Sequence, residues 1–232
     1  ELREIDKTPS GERVEKAREL TAYIDTEVTD LIRLIVQCGK IPIAIGGGHN
    51  NAYGMIKGTA LAQNAAVNCL NIDAHSDFRK REGRHSGNAF RYAFKEGFLH
   101  HYYIMGMQEN YSPKKVHKSL KAERRIRFST FEELFVRKEK EFDFELKEAI
   151  EFVKNTKFGI EVDMDSIVHA PSSAQSNSGF HLNQLREMVY KAGSHKNVTY
   201  LHICEGSPLH DDQDRFQIGK AISFLITDFI RK

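Results

Sequence analysis

Seven residues whose types suit metal and proton chemistry stand at or just beyond the ends of apolar runs. They are His49 in "IAIGGGHNN", Asp73, His75 and Asp77 in "LNIDAHSD", Asp163 and Asp165 in "GIEVDMD", and Glu205 in "LHICEGSP". Side chains at i and i+2 of an extended chain share a face, about 6 to 7 Å apart along the backbone. Asp73 with His75, and Asp163 with Asp165, therefore read as two same-face pairs on two strands. Two metal ions in a hydrolytic centre lie roughly 3.5 to 4 Å apart. Two such pairs suit both ions, with one carboxylate from each strand bridging. Asp77 joins the set if the strand ends at His75 and the chain turns back, and His49 enters from a neighbouring strand because Gly46 to Gly48 let the backbone turn tightly.

The donor types narrow the metal. Four carboxylates and two imidazoles without a thiolate form a hard, mostly oxygen set, which suits manganese better than zinc. Without cations, four converging carboxylates repel one another and carry a severe desolvation cost; two divalent ions balance them.

The elements that must position these groups are legible from periodicity. From Ser10 to Cys38, Val14, Ala17, Leu20, Ile24, Val28, Leu31, Ile32 and Ile35 recur at three- and four-residue steps before Gly39, the pattern of an amphipathic helix with its stop. Short β-rich runs follow at 41–46, 67–73, 101–107, 125–129, 158–165 and 198–204, with helical stretches at 51–64, 141–154, 181–192 and 213–231. Continuous apolar strands alternating with helices predict an α/β fold of three α/β/α layers around a mostly parallel central sheet. Ligands of such sheets bind outside the carboxyl ends of the strands, where the reactive residues stand.

Bulk properties bound the function. The 232 residues carry 34 basic and 32 acidic side chains, a net +2, with no Pro/Gly/Ser-rich linker, so residues 1–232 read as one domain. Basic stretches such as "KKVHKSLKAERR" fit a solvated helix face, and no nucleic-acid partner is expected. No apolar run is long enough for a membrane span and no leader is evident, so the expectation is a cytoplasmic protein without a membrane partner. Cys38, Cys69 and Cys204 are scattered and odd in number, which suits reduced, buried thiols.

"GGGHN", "DAHSD" and "EVDMD" resemble, in order, the three metal-binding motifs of the ureohydrolase superfamily (arginase, agmatinase, formimidoylglutamase), and "ICEGSP" resembles its later glutamate motif. The resemblance runs from about residue 41 to the end. It implies an arginase-like fold and two Mn2+ per subunit. His49, Asp73, Asp77 and Asp163 would hold one ion, and Asp73, His75, Asp163 and Asp165 the other, with Asp73 and Asp163 as bridges. "DAHSDFR" and "GMQENY" are most similar to formimidoylglutamases. "RHSGNAFRYA" places Phe90 where arginases keep a proton-shuttling histidine, with His85 as a nearby alternative. "DMDSIVHAPSSAQSN" departs from the superfamily pattern, with Val168 at a usual aspartate, and the upstream strand and glycine-rich loop have no counterpart in residues 1–40.

The implied chemistry is hydrolysis of a C–N bond in a linear amidine, with N-formimidoyl-glutamate giving glutamate and formamide. Asp77 would orient the attacking water and pass its proton to the departing nitrogen, and Glu205 would accept hydrogen bonds from the cationic substrate. Arg79, Ser86, Asn88 and Arg84 are the expected partners of substrate carboxylates. A guanidino substrate and a metal-binding protein without turnover are the alternatives, and the family's habit implies a homo-oligomer. Taken singly, each strand-end aspartate reads as a helix cap and Arg79 beside Lys80 and Arg81 as a solvated cluster; the six ligand positions in order favour the site. His100, His101, His117, His169, His181, His195, His202 and His210 are expected to be ordinary surface or core residues.

Overall fold

The computed structural model describes residues 10–208 and 212–231, so His210 lies outside the described residues. Six strands, β1 (Ile43–Ile45), β2 (Val67–Ile72), β3 (Leu99–Met107), β4 (Ile126–Thr130), β5 (Phe158–Asp163) and β6 (Val198–Cys204), form one sheet in the order β1-β6-β5-β2-β3-β4. Every pairing is parallel. β2, β5 and β6 are buried along their whole lengths, which is why their sequences are mostly apolar rather than strictly alternating.

Helices cover both faces. α1 (Ser10–Gln37), α2 (Ala52–Gln63), α3 (Ala89–Lys95) and α4 (Lys114–Lys121) lie on one side, over a core that includes Met55, Ile56, Phe90, Tyr102 and Tyr200. α5 (Phe142–Val153), α6 (Leu182–Gly193) and α7 (Asp212–Ile230) cover the other, over Leu70, Ile160, Leu185 and Leu225. The three-layer expectation is met. α2 and α1 pack closely because Gly58 has no side chain: a Cβ there would stand 2.5 Å from the Thr29 carbonyl oxygen.

Three expectations change. α1 buries Asp25, Thr29, Ile32 and Val36, while Val14 and Leu31 are 55% and 58% exposed. The period was right but the stripe is rotated, because Asp25 has a buried cationic partner. α3 was not foreseen; it is short, and its apolar residues sit inside a segment rich in chemistry. Cys38 is exposed just past the end of α1, whereas Cys69 and Cys204 are buried as expected.

The chain runs outward from β2 through β3 to β4, then returns to place β5 and β6 on the other side of β2. The direction reverses between β2 and β5, and a crevice opens there beyond the strand ends. Ile72 stands in register with Val162, so Asp73 and Asp163 leave neighbouring strands side by side.

Candidate metal centre

The two aspartates do the same work at their strand ends. Asp73 Oδ1 accepts the His75 amide at 2.7 Å, and Asp163 Oδ1 accepts the Asp165 amide at 2.7 Å. These short side-chain turns stop the strands, and β5 passes into a 3-10 turn at Met164–Ser166. His75 and Asp165 are therefore carried on capped turns, which corrects the expectation of two same-face strand pairs reaching to 165. A strand-end carboxylate outcompetes the ladder for the next free N–H, and that competition sets the direction of the second ligand.

His49 enters from the turn after β1. Its Nδ1 lies 3.2 Å from Asp73 Oδ2, 3.0 Å from Asp77 Oδ2 and 3.1 Å from Asp163 Oδ2. One ring nitrogen carries at most one proton, so it satisfies one of three converging carboxylates at a time. A divalent cation satisfies all of them. His49, Asp73, Asp77 and Asp163 present ligand atoms within 4.8 Å of one another, as do His75, Asp163 and Asp165. The residues present thus fit two cations, with Asp163 in both groups.

The electrostatics carry the same message. Burial pushes the Asp163 and Asp77 carboxyls up, and the Asp73 charge pushes them further. Asp73, although wholly buried, is held below the usual carboxylate range by hydrogen bonds with His49 and His75. Burial alone would lower the His49 pKa; hydrogen bonds with Asp163, Asp73 and Asp77 drive it well upward instead. Cys204 lies within ligand range of His49 and Asp163, a donor the sequence reading left out. Burial pushes its thiol well up.

Glu205 follows β6 with φ +60°, and Asp77 has φ +43°, so both side chains stand on left-handed backbone that costs free energy. Glu205 Oε1 accepts the His49 amide at 2.6 Å. Gly48 makes room for it, since a Cβ there would lie 3.2 Å from that oxygen. A cavity of about 510 Å³ is floored by His75, Asp77, Asp163 and Asp165, with Glu205 on its wall. Arg79, His85 and Ser86 also line it. The altered loop closes another side: Ser173 Oγ and the Ala174 amide donate to Asp165 at 3.1 and 2.9 Å.

Two expected substrate partners are withdrawn from the cavity. Asn88 is fully buried; its Oδ1 accepts from Arg84 and the His85 amide, and its Nδ2 donates to the Lys80 and Gly83 carbonyls. All its hydrogen-bonding capacity is spent holding the loop. Arg84 is buried against Asp25, Nε to Oδ2 2.6 Å. Phe90 is likewise inside, edge-on to His49 at 5.1 Å and stacked on Tyr102 at 4.5 Å. It is a packing residue and does not line the cavity. Besides Cys204, three groups were missed by the sequence reading. Tyr111 stacks on His75 at 5.1 Å, and Glu161 and His202 form a buried pair at 2.5 Å beneath the centre. The signal was present as a polar residue two before each strand end, in "EVD" and "HIC".

The profile of the arginase family matches residues 10–229. The chain belongs to the arginase family. The match includes α1, so this arginase-family chain resembles its relatives from earlier than residue 41. It is 26% identical over 215 residues to the formimidoylglutamase of Staphylococcus carnosus, covering 89% of this chain and 67% of that one. With the formimidoylglutamase of Geobacillus thermodenitrificans it shares 30% over 192 residues, covering 80% and 59%. Among solved structures, Bacillus subtilis formimidoylglutamase superposes with TM-score 0.78 at 21% identity, covering 88% of this chain and 65% of that one. Trypanosoma cruzi formiminoglutamase with Mn2+2 superposes with TM-score 0.78 at 19% identity, covering 89% and 69%. The arginase-family chain spans about 59 to 67% of the length of these two curated relatives. Among the described residues, no helix is long and apolar enough to cross a membrane.

Proposed function

We propose that the protein is a manganese-dependent hydrolase that cleaves the C–N bond of a linear amidine, with N-formimidoyl-L-glutamate as substrate and glutamate and formamide as products. The observation that carries this is the convergence of Asp73, Asp77 and Asp163 on His49 Nδ1 at 3.0–3.2 Å, where Asp77 and Asp163 also line a cavity shared with Glu205. In this reading His49, Asp73, Asp77 and Asp163 hold one manganese ion, and Asp73, His75, Asp163 and Asp165 the other. Two such ions supply Lewis acidity that activates water near neutral pH.

The chain's own residues do the rest. Asp77, 11% exposed, is the carboxylate at the cavity floor that orients the attacking water and carries its proton to the departing nitrogen. Glu205, fixed by the His49 amide, accepts N–H groups of the amidinium, a charge-assisted hydrogen bond that selects a planar cation. Arg79 and Ser86 line the same cavity and receive the distal carboxylates. A homo-oligomer in the cytoplasm, with no nucleic-acid partner, belongs to the same reading. The choice of an amidine substrate is supported by the formimidoylglutamases among the relatives and by Phe90, a side chain with no proton to shuttle.

The test is formamide release from N-formimidoyl-glutamate by protein loaded with manganese, against urea release from arginine and agmatine. Formamide from the parent and background from Asp77→Ala supports the proposal. Urea release makes it a guanidino hydrolase. Equal background from parent and variant, where a relative is active in the same assay, leaves a metal-binding protein without turnover.

A further inference from the structure

Beneath Asp73, Asp163 and Cys204 lies a second polar row on the same face of the sheet. Asn71 stands in register with Glu161, and Glu161 with His202, each two residues before Asp73, Asp163 or Cys204 in the chain. All three are fully buried. Asn71 is committed, its Nδ2 donating to Asp73 Oδ2 and the Tyr102 hydroxyl at 2.9 Å each. Glu161 and His202 serve no group of the cavity and have no place in the chemistry above.

A ring nitrogen that gives its lone pair to a cation carries no proton, so His49 with Nδ1 on a metal must keep its proton on Nε2. That Nε2 is buried and has no hydrogen-bond partner. Facing it at 3.6 Å is Glu161 Oε2, and Glu161 Oε1 is itself buried without a partner. A buried donor without an acceptor thus faces a carboxylate with capacity to spare, and closing the gap needs a shift of about 0.7 Å. The rest of the surroundings holds the geometry: His202 Nδ1 fixes Glu161 Oε2 at 2.5 Å, and Phe90 and His202 flank the His49 ring at 5.1 and 6.1 Å.

We propose that Glu161, held by His202, is the positioning residue of the metal centre: it accepts the His49 Nε2 proton and so fixes the tautomer that leaves Nδ1 free for the ion. The inference rests on the reading of His49 as a metal ligand. Carboxylates behind a ligating histidine raise its basicity and set its orientation, and their loss costs about 10- to 100-fold in metal affinity. Here the loss is confined to one ion. His75 and Asp165 belong to the other group.

The experiment titrates chelator-stripped parent and variant with manganese(II) chloride, following free Mn2+ by its EPR signal and bound heat by calorimetry. Parent protein is expected to take up two ions. Glu161→Leu is expected to lose 10- to 100-fold at one ion only, and Glu161→Gln, which keeps a carbonyl acceptor, to recover part of that loss. Circular dichroism of the stripped proteins checks folding, and Glu161→Gln carries the test if Glu161→Leu does not fold. Parental affinity at both ions in a folded variant, or equal loss at both, overturns the inference while leaving the metal reading intact. A parent that takes up no manganese overturns that reading and the inference with it.

Discussion

Asp73 and Asp163 are structural twins across the β2–β5 boundary: each spends one oxygen on the amide two residues ahead and turns the other toward His49 Nδ1, at 3.2 and 3.1 Å. Neither role can be met by the other's partner strand. Asp73→Ala and Asp163→Ala are each expected to abolish binding of both ions, whereas Asp77→Ala and Asp165→Ala lose one. Metal content per chain after gel filtration measures this. Retention of one ion by Asp163→Ala would remove it as a bridge.

The metal-free protein should lose stability as pH rises. Burial pulls His75 down, but its hydrogen bond with Asp73 outweighs that and carries its pKa to about 9, above the unfolded value of roughly 6.5. A group raised on folding contributes stability that is present below the unfolded value and lost as pH climbs through the folded one. The thermal midpoint in chelator is therefore expected to fall between pH 6.5 and 9. Manganese replaces those protons, so with excess metal the fall disappears. A midpoint in chelator that rises over this range would contradict the assignment.

Arg84 and Asp25 hold the loop that carries Arg79 and Ser86. They are 6% and 4% exposed, and Arg84 also donates to the Asn50 carbonyl and to Asn88. Breaking a buried pair by removing one partner costs about 3–5 kcal/mol, because the other charge is left uncompensated. Asp25→Ala is expected to lower urea stability by that amount, and Asp25→Leu with Arg84→Met together by much less. Asn88→Ala is expected to cost about 1–3 kcal/mol for its orphaned partners. A change in KM without a change in stability would restore Asn88 as a substrate contact.

Phe90 supports the centre by packing. It is fully buried between His49 and Tyr102. Phe90→Ala opens a cavity in this core and is expected to cost about 3–5 kcal/mol by denaturant unfolding. Phe90→His is expected to lower stability without raising activity on arginine. Urea release gained by that variant would show the position to be open to the cavity after all.

Arg79 is the expected specificity residue, its side chain 65% exposed at the cavity and 3.6 Å from Glu82. Arg79→Ala is expected to raise KM for the dicarboxylate substrate about tenfold, the loss of one charge-assisted hydrogen bond, with kcat little changed. A simple amidine without carboxylates should not distinguish parent from variant. If it does, Arg79 acts on the reacting centre.

The sequence by itself determined the sheet, most of its covering helices and the metal-ligand candidates. Continuous apolar strands, helical periods and carboxylates at strand ends are local patterns, and local patterns survive without coordinates. Order in space was decided by the tertiary structure alone. Nothing in residues 67–73 and 158–163 says that β2 and β5 are neighbours, yet that pairing puts Asp73 beside Asp163. The same holds for residues whose role depends on which way they face. Asn88 and Arg84 look like substrate contacts in "RHSGN" and are buried, because Asp25, far off on α1, supplies the partner that draws them in. Glu161 and His202 look like strand interior and lie beneath the metal centre, because parallel register sets them opposite one another. A chain can announce its ligands through spacing; which groups stand behind them is fixed only when distant strands and helices close around the same point.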